Sequence, residues 1–170
     1  MDAFVGGAIP FDDITMLALN YYGPVGEEEE KMNPSEKELV LPATKDSIGQ
    51  ITAMVDEELE ALDCSIKAQM QLDVAIDEIY ANIASYAYPE GGGEAKVVFS
   101  FDEETRTVTL TFTDQGIPFN PLLQEEPDVT LAAEERKEGG LGIFLVRKTM
   151  DAVDYRYEDG KNILSIQKKI

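Results

Sequence analysis

Between Thr107 and Thr113, threonines at every odd position alternate with Val108, Leu110 and Phe112. Successive side chains of a strand point to opposite faces, so this segment presents one apolar face and one face compatible with water. A sheet built from such strands needs cover on one side only, and the rest of the chain must supply amphipathic helices for it. Two stretches have that character. Ile48, Ile51, Val55, Leu59 and Leu62 recur at helical spacing behind Thr44, a residue suited to capping. Leu72, Ile76, Ile79 and Ile83 form the stripe of a second helix predicted over Ser65–Tyr88, which Pro89 and Gly91-Gly92-Gly93 end. A short strand, Leu39-Val40-Leu41, precedes them, and Lys96–Phe101 pairs with the threonine-rich segment as a hairpin. A third helix starts near Gly142 with Ile143, Phe144, Val146 and Met150. Val153–Tyr157 and Ile163–Gln167, joined at Asp159-Gly160, make a second hairpin. The expected fold is an α/β sandwich: a mixed, mostly antiparallel β-sheet with about three helices on one face.

Three regions follow from the same patterning. Residues 1–22 are mostly apolar, residues 23–36 read as an acidic linker, and residues 37–170 form the folded domain. The linker combines Gly23-Pro24, four consecutive glutamates from Glu27 to Glu30, and Asn33-Pro34-Ser35, a Gly/Pro break with a like-charge block. Pro118 to Glu138 is polar, acidic and interrupted by Pro121 and Pro127, the composition of a lid or a disordered loop.

The chain has 34 acidic and 14 basic residues, a net charge of -20. Contacts to nucleic-acid phosphates need clustered Lys and Arg, so this balance argues against nucleic-acid binding and equally against an anionic membrane surface. It suits solubility and partners with basic patches. A single cysteine, Cys64, excludes an intrachain disulfide and points to a reducing, cytoplasmic location. The amino terminus lacks the pattern of a secretory signal, and no apolar run approaches the ~20 residues of a membrane span. With no histidine in the sequence, a histidine nucleophile, a histidine phospho-acceptor and any His-based metal site are excluded.

Three groups of residues could carry chemistry. Glu78 and Asn82 lie four apart, on one side of the second helix. At ~100° per residue they fall at the edge of its buried stripe, where a cleft wall would be. An amide oxygen there can ligate Mg²⁺, and a carboxylate can take a proton from an attacking hydroxyl. Asp114-Gln115-Gly116-Ile117-Pro118 follows a strand directly: the aspartate can accept a hydrogen bond from an exocyclic amine such as that of adenine, and Gly116 lets backbone approach a flat ring. Gly139-Gly140-Leu141-Gly142 opens a helix, whose free N–H groups suit a phosphate, and Arg136 and Lys137 stand just before it, placed to reach a terminal phosphate. Each group has an ordinary alternative: a chance helical pair, a strand-to-loop turn, a flexible hinge with two solvated charges. What sets them apart is their order, their placement on helix, strand end and helix start, and the lid between the last two.

From about Lys37 to Ile170 the sequence resembles the GHKL (Bergerat-fold) ATPase superfamily. Glu78-Ile-Tyr-Ala-Asn82 looks like its N box, Asp114-Gln-Gly-Ile-Pro118 its first glycine box, and Gly139-Gly-Leu-Gly142 its second. Within it, the runs Asp77–Tyr88, Gly139–Asp151 and Gly160-Lys-Asn-Ile-Leu-Ser-Ile are most similar to the anti-sigma-factor serine/threonine kinases. The resemblance implies Glu78 as base, Asn82 as Mg²⁺ ligand, Asp114 as adenine reader, and Gly116, Gly140 and Gly142 as shapers of an ATP pocket. It implies transfer of the γ-phosphate to a hydroxyl of an anti-sigma-factor antagonist. Sequestration of a sigma factor and pairing into a homodimer are compatible with it. The alternative is a non-catalytic, nucleotide-dependent binding module regulating a sigma factor or a fused phosphatase. Tyr86 departs from the family, where many relatives have histidine, and is expected to alter the pocket edge. Separately, Phe11-Asp12-Asp13-Ile14-Thr15-Met16-Leu17 resembles the last motif of bacterial type 2C serine/threonine phosphatases of the sporulation and stress type. There Asp12 would be a metal ligand, orphaned here because the other carboxylates of such a site are missing.

Overall fold

A computed structural model of the chain describes residues 36–123 and 141–170. Strand β1 (Lys37–Pro42) leads through a 3₁₀ turn (Lys45–Ser47) into helix α1 (Ile48–Ala61). Helix α2 (Ile66–Asn82) continues into a π-helical turn (Ile83–Ala87). Then come β2 (Glu94–Asp102), β3 (Thr107–Asp114), a 3₁₀ turn (Pro121–Leu123), α3 (Leu141–Thr149), β4 (Ala152–Glu158) and β5 (Lys161–Lys169). The strands lie in the order β1-β2-β3-β5-β4, and every pairing among the described residues is antiparallel, in line with the mostly antiparallel sheet the sequence suggested and without a parallel pair.

The alternation in β3 works as expected. Val108, Leu110 and Phe112 are buried, together with Val97, Phe99 and Phe101 of β2 and Leu164 and Ile166 of β5. These join Ile51, Val55 and Leu59 of α1, Leu72, Ile76, Ile79 and Tyr80 of α2, and Ile143 and Val146 of α3 in one apolar cluster. The threonines occupy the other face, where Thr111 Oγ1 lies 3.1 Å from Ser165 Oγ. Buried Tyr80 also links the two layers, its hydroxyl donating to the Pro42 carbonyl of β1 at 2.9 Å. The β4–β5 turn places Asp159 and Gly160 at φ 50° and 75°, the left-handed pair that a two-residue hairpin requires.

Two local expectations change. Thr44 flanks the 3₁₀ turn rather than an α-helix, and its side chain makes no capping hydrogen bond. The second helical stretch has the expected extent but changes type within it, α-helical to Asn82 and π-helical through Ala87. At the far end of its π turn the Ala87 carbonyl accepts from Ile117 N–H at 2.9 Å, which ties the helix end to the loop after β3. Such wide turns concentrate at functional sites. Among the described residues no helix is long and apolar enough to cross a membrane.

Candidate functional site

Two adjoining cavities open where the C-terminal end of α2, the start of α3 and the ends of β3 and β5 converge. The inner one is mainly apolar, walled by side chains such as Ile79, Phe112, Ile143 and Leu164, with Asp114 and Asn162 as polar groups. The outer one is more polar and is lined by Lys45, Glu78, Ser85 and Gly142. Asn82, Tyr86, Phe119 and Ile143 border both. An apolar slot with a carboxylate in its wall beside a polar chamber can take a flat heteroaromatic ring and the charged group attached to it.

In the outer chamber α3 begins against α2. Gly142 packs directly on the Glu78 carboxylate, and a methyl group at Gly142 would overlap it. Neither Glu78 nor Asn82 has a side-chain hydrogen bond or ion pair to protein among the described residues, and one helical turn separates them. Both are therefore available to a ligand. Lys45, at the start of the turn after β1, brings a cation to the same chamber and has no ion-pair partner among the described residues. Nothing in the local sequence singles Lys45 out, because its place depends on the end of β1 being held to α2, where the Tyr80 hydroxyl donates to the Pro42 carbonyl.

In the inner slot Asp114 ends β3, facing inward and 6% exposed. Its Oδ1 accepts from Gly116 N–H at 2.9 Å and from Asn162 Nδ2 at 2.9 Å. Asn162 opposes Asp114 in the β3–β5 register and is equally buried. Its second amide hydrogen goes to the Ile117 carbonyl at 3.0 Å, while its Oδ1 accepts from Phe119 N–H at 3.1 Å and the Tyr155 hydroxyl at 2.7 Å. Burial, reinforced by the Asp114 charge, pushes the Tyr155 phenol above its ordinary value, so it remains the protonated donor this bond needs. Gly116 sits against the Ala87 backbone so closely that a Cβ would collide with that carbonyl. The sequence reading missed Asn162, although a signal existed: period 2 puts it in phase with buried Leu164 and Ile166.

The structure thus brings Glu78, Asn82, Asp114, Leu141 and Gly142 around one paired cavity, while Gly116 lines neither half and packs against Ala87 behind the inner one. Tyr86, 57% exposed, stands on the rim of both halves, consistent with a residue that alters the edge. Arg136, Lys137, Gly139 and Gly140 lie outside the described residues, as does the segment around Asp12 with its phosphatase resemblance.

Comparisons with known proteins agree with this architecture. Residues 41–168 match the family described as the histidine kinase-like ATPase domain. The chain is 28% identical over 131 residues to the serine-protein kinase RsbW of Halalkalibacterium halodurans, covering 75% of this chain and 79% of that one. It is 25% identical over 131 residues to the serine-protein kinase RsbW of Bacillus mycoides, covering 75% and 81%. Among solved structures, the RsbU and RsbW domains of Rv1364c from Mycobacterium tuberculosis superpose with a TM-score of 0.56 at 13% identity. That match spans 79% of this chain and 32% of the other, and it speaks to the fold alone. With the family match extending over most of its length, the chain belongs to the histidine kinase-like ATPase domain family.

Proposed function

We propose that this chain is an Mg-ATP-dependent protein serine/threonine kinase of the anti-sigma-factor type, acting on a hydroxyl of an anti-sigma-factor antagonist. The observation that carries the catalytic part is the Glu78 carboxylate, unpaired among the described residues and facing the polar chamber beside Asn82. The relatives named serine-protein kinase support the acceptor class. In this reading the adenine enters the inner slot against Asp114, and the phosphates extend into the outer chamber toward the N-terminal end of α3.

The residues present suit Mg²⁺. Asn82 offers an amide oxygen that has no hydrogen-bond partner among the described residues and borders the polar chamber. Mg²⁺ is commonly held by one or two protein oxygens together with substrate phosphates. Bound by Asn82, it would offset phosphate charge. Glu78 accepts the proton of the attacking serine or threonine hydroxyl; the hydroxyl oxygen bonds to the γ-phosphorus; the bond from that phosphorus to the β–γ bridging oxygen breaks and ADP departs. Lys45, which lines the outer chamber, would offset charge on the transferring group together with Arg136 and Lys137. Gly139, Gly140, Leu141 and Gly142 would supply backbone N–H groups to the phosphates, and Gly116 close backbone approach to the ring.

Incubation with γ-labelled ATP and a panel of candidate antagonist proteins tests the proposal. Transfer to one of them, abolished in Glu78→Ala while ATP binding persists, is the expected result. Tight ATP binding without transfer to any acceptor would replace it with a nucleotide-dependent binding module that sequesters a sigma factor.

A further inference from the structure

Resting on the nucleotide-binding part of that reading, we infer that Asn162 determines which purine the site accepts, by leaving Asp114 only one free carboxylate oxygen. A carboxylate unencumbered by protein has two oxygens, each with two acceptor positions. Such a group pairs well with the guanine edge, where N1–H and the N2 amine lie side by side and engage both oxygens at once. Here both acceptor positions of Asp114 Oδ1 are filled, one by Gly116 N–H and one by Asn162 Nδ2, each at 2.9 Å. Oδ2 has no hydrogen-bond partner among the described residues. A single acceptor matches a base that offers one donor group, the exocyclic amine of adenine, and leaves one guanine donor unpaired in a buried slot. An unpaired buried donor is the arrangement that discriminates most strongly between related ligands.

The orientation of Asn162 is not free to adapt. Its Oδ1 is held by Phe119 N–H and by the Tyr155 hydroxyl, so Nδ2 must face Asp114 and the Ile117 carbonyl. All four hydrogen bonds are internal, which makes Asn162 a positioning residue that acts through Asp114. Tyr155 is its support.

The test measures equilibrium binding of ATP and GTP to the full chain, to Asn162→Ala and to Tyr155→Phe, with thermal melting confirming that each is folded. Wild type should prefer ATP. Asn162→Ala should lower the ATP/GTP affinity ratio about tenfold, the weight of one hydrogen bond. Tyr155→Phe should move the ratio the same way by a smaller factor, and it decides the matter alone if Asn162→Ala does not fold. A merely structural role for Asn162 would weaken both nucleotides equally. An unchanged ratio in the folded variants, or a wild type without preference, overturns the inference and leaves ATP binding intact. A wild type that binds neither nucleotide overturns this inference and the proposed function together.

Discussion

Gly142 at the start of α3 abuts the carboxylate of Glu78 on α2, with no room for a methyl group between them. The contact sets how deeply α3 seats on α2, and it confines the carboxylate to the polar chamber. Gly142→Ala should therefore displace the Glu78 side chain more readily than the backbone, since the colliding atoms are the far end of a flexible chain. Because misplacing a reacting group by ~1 Å can cost about 10²-fold in rate, phosphate transfer should fall by about that factor. Stability should change by less than about 1 kcal/mol, as the substitution also favours helix. Single-turnover transfer measured beside a melting curve checks both halves. Full transfer activity in the variant would mean that the Glu78 position is not what transfer depends on.

Gly116 meets the opposite kind of neighbour. A side chain there would strike the Ala87 carbonyl, which is backbone and already holds Ile117 N–H at 2.9 Å. Gly116→Ala must shift either the π turn or the loop after β3, a cost of roughly 1–3 kcal/mol by the usual scale of overpacking. Urea denaturation should register that loss. ATP affinity should drop with it, because the same loop supplies Gly116 N–H, one of Asp114's two hydrogen-bond donors.

These two glycines also mark how far the sequence could be read. The threonine alternation in β3 and the apolar stripes of α1 and α2 are local patterns, and the sheet and helix layer follow from them. Several cavity residues were legible because Glu78 and Asn82, Asp114, and Leu141 and Gly142 belong to short motifs. What they touch was not. The contact of Gly142 with Glu78, the arrival of Lys45 and the bond of Ile117 to Ala87 join segments far apart in the chain, and no local pattern encodes them. Asn162 is intermediate: its inward phase was readable, while its pairing with Asp114 depends on the β3–β5 register.

Asn82 should make nucleotide binding metal-dependent. If its amide oxygen holds Mg²⁺, the wild-type chain should bind ATP more tightly with Mg²⁺ than with excess EDTA. Asn82→Ala should bind ATP with nearly the same weakened affinity in both conditions, a loss of about 10-fold or more in the magnesium response. Calorimetric titrations of both proteins with and without metal measure it. Equal Mg-ATP affinity in wild type and variant would remove Asn82 from the site.

Asp73 lies on α2 and lines neither cavity. Burial first, and then the charge and hydrogen bonding of Asp56 on α1, push its carboxyl from 3.8 up to about 6. Its Oδ1 is buried and has no hydrogen-bond partner among the described residues, while Gln69 Nε2 donates to Asp56 Oδ1 at 2.7 Å. Gln69 therefore serves Asp56 and leaves Asp73 uncompensated. The sign follows from a raised acid: the folded state favours the protonated carboxyl. The stabilisation is complete below about 3.8, the unfolded value, and is lost as pH rises through about 6. At pH 7 the Asp73 carboxylate is charged, and the folded state bears its desolvation and its repulsion with Asp56. Asp73→Asn keeps the shape and removes the charge, so it should stabilise the protein at pH 7 by about 1–2 kcal/mol. That is less than the ~3 kcal/mol of the full shift, because the side chain is only partly shielded from solvent. The gain should shrink steadily between pH 6 and pH 4. The difference between wild-type and variant unfolding free energies, taken across that range, isolates Asp73 from the many other acids of the chain. A difference that does not vary with pH would show that Asp73 titrates normally.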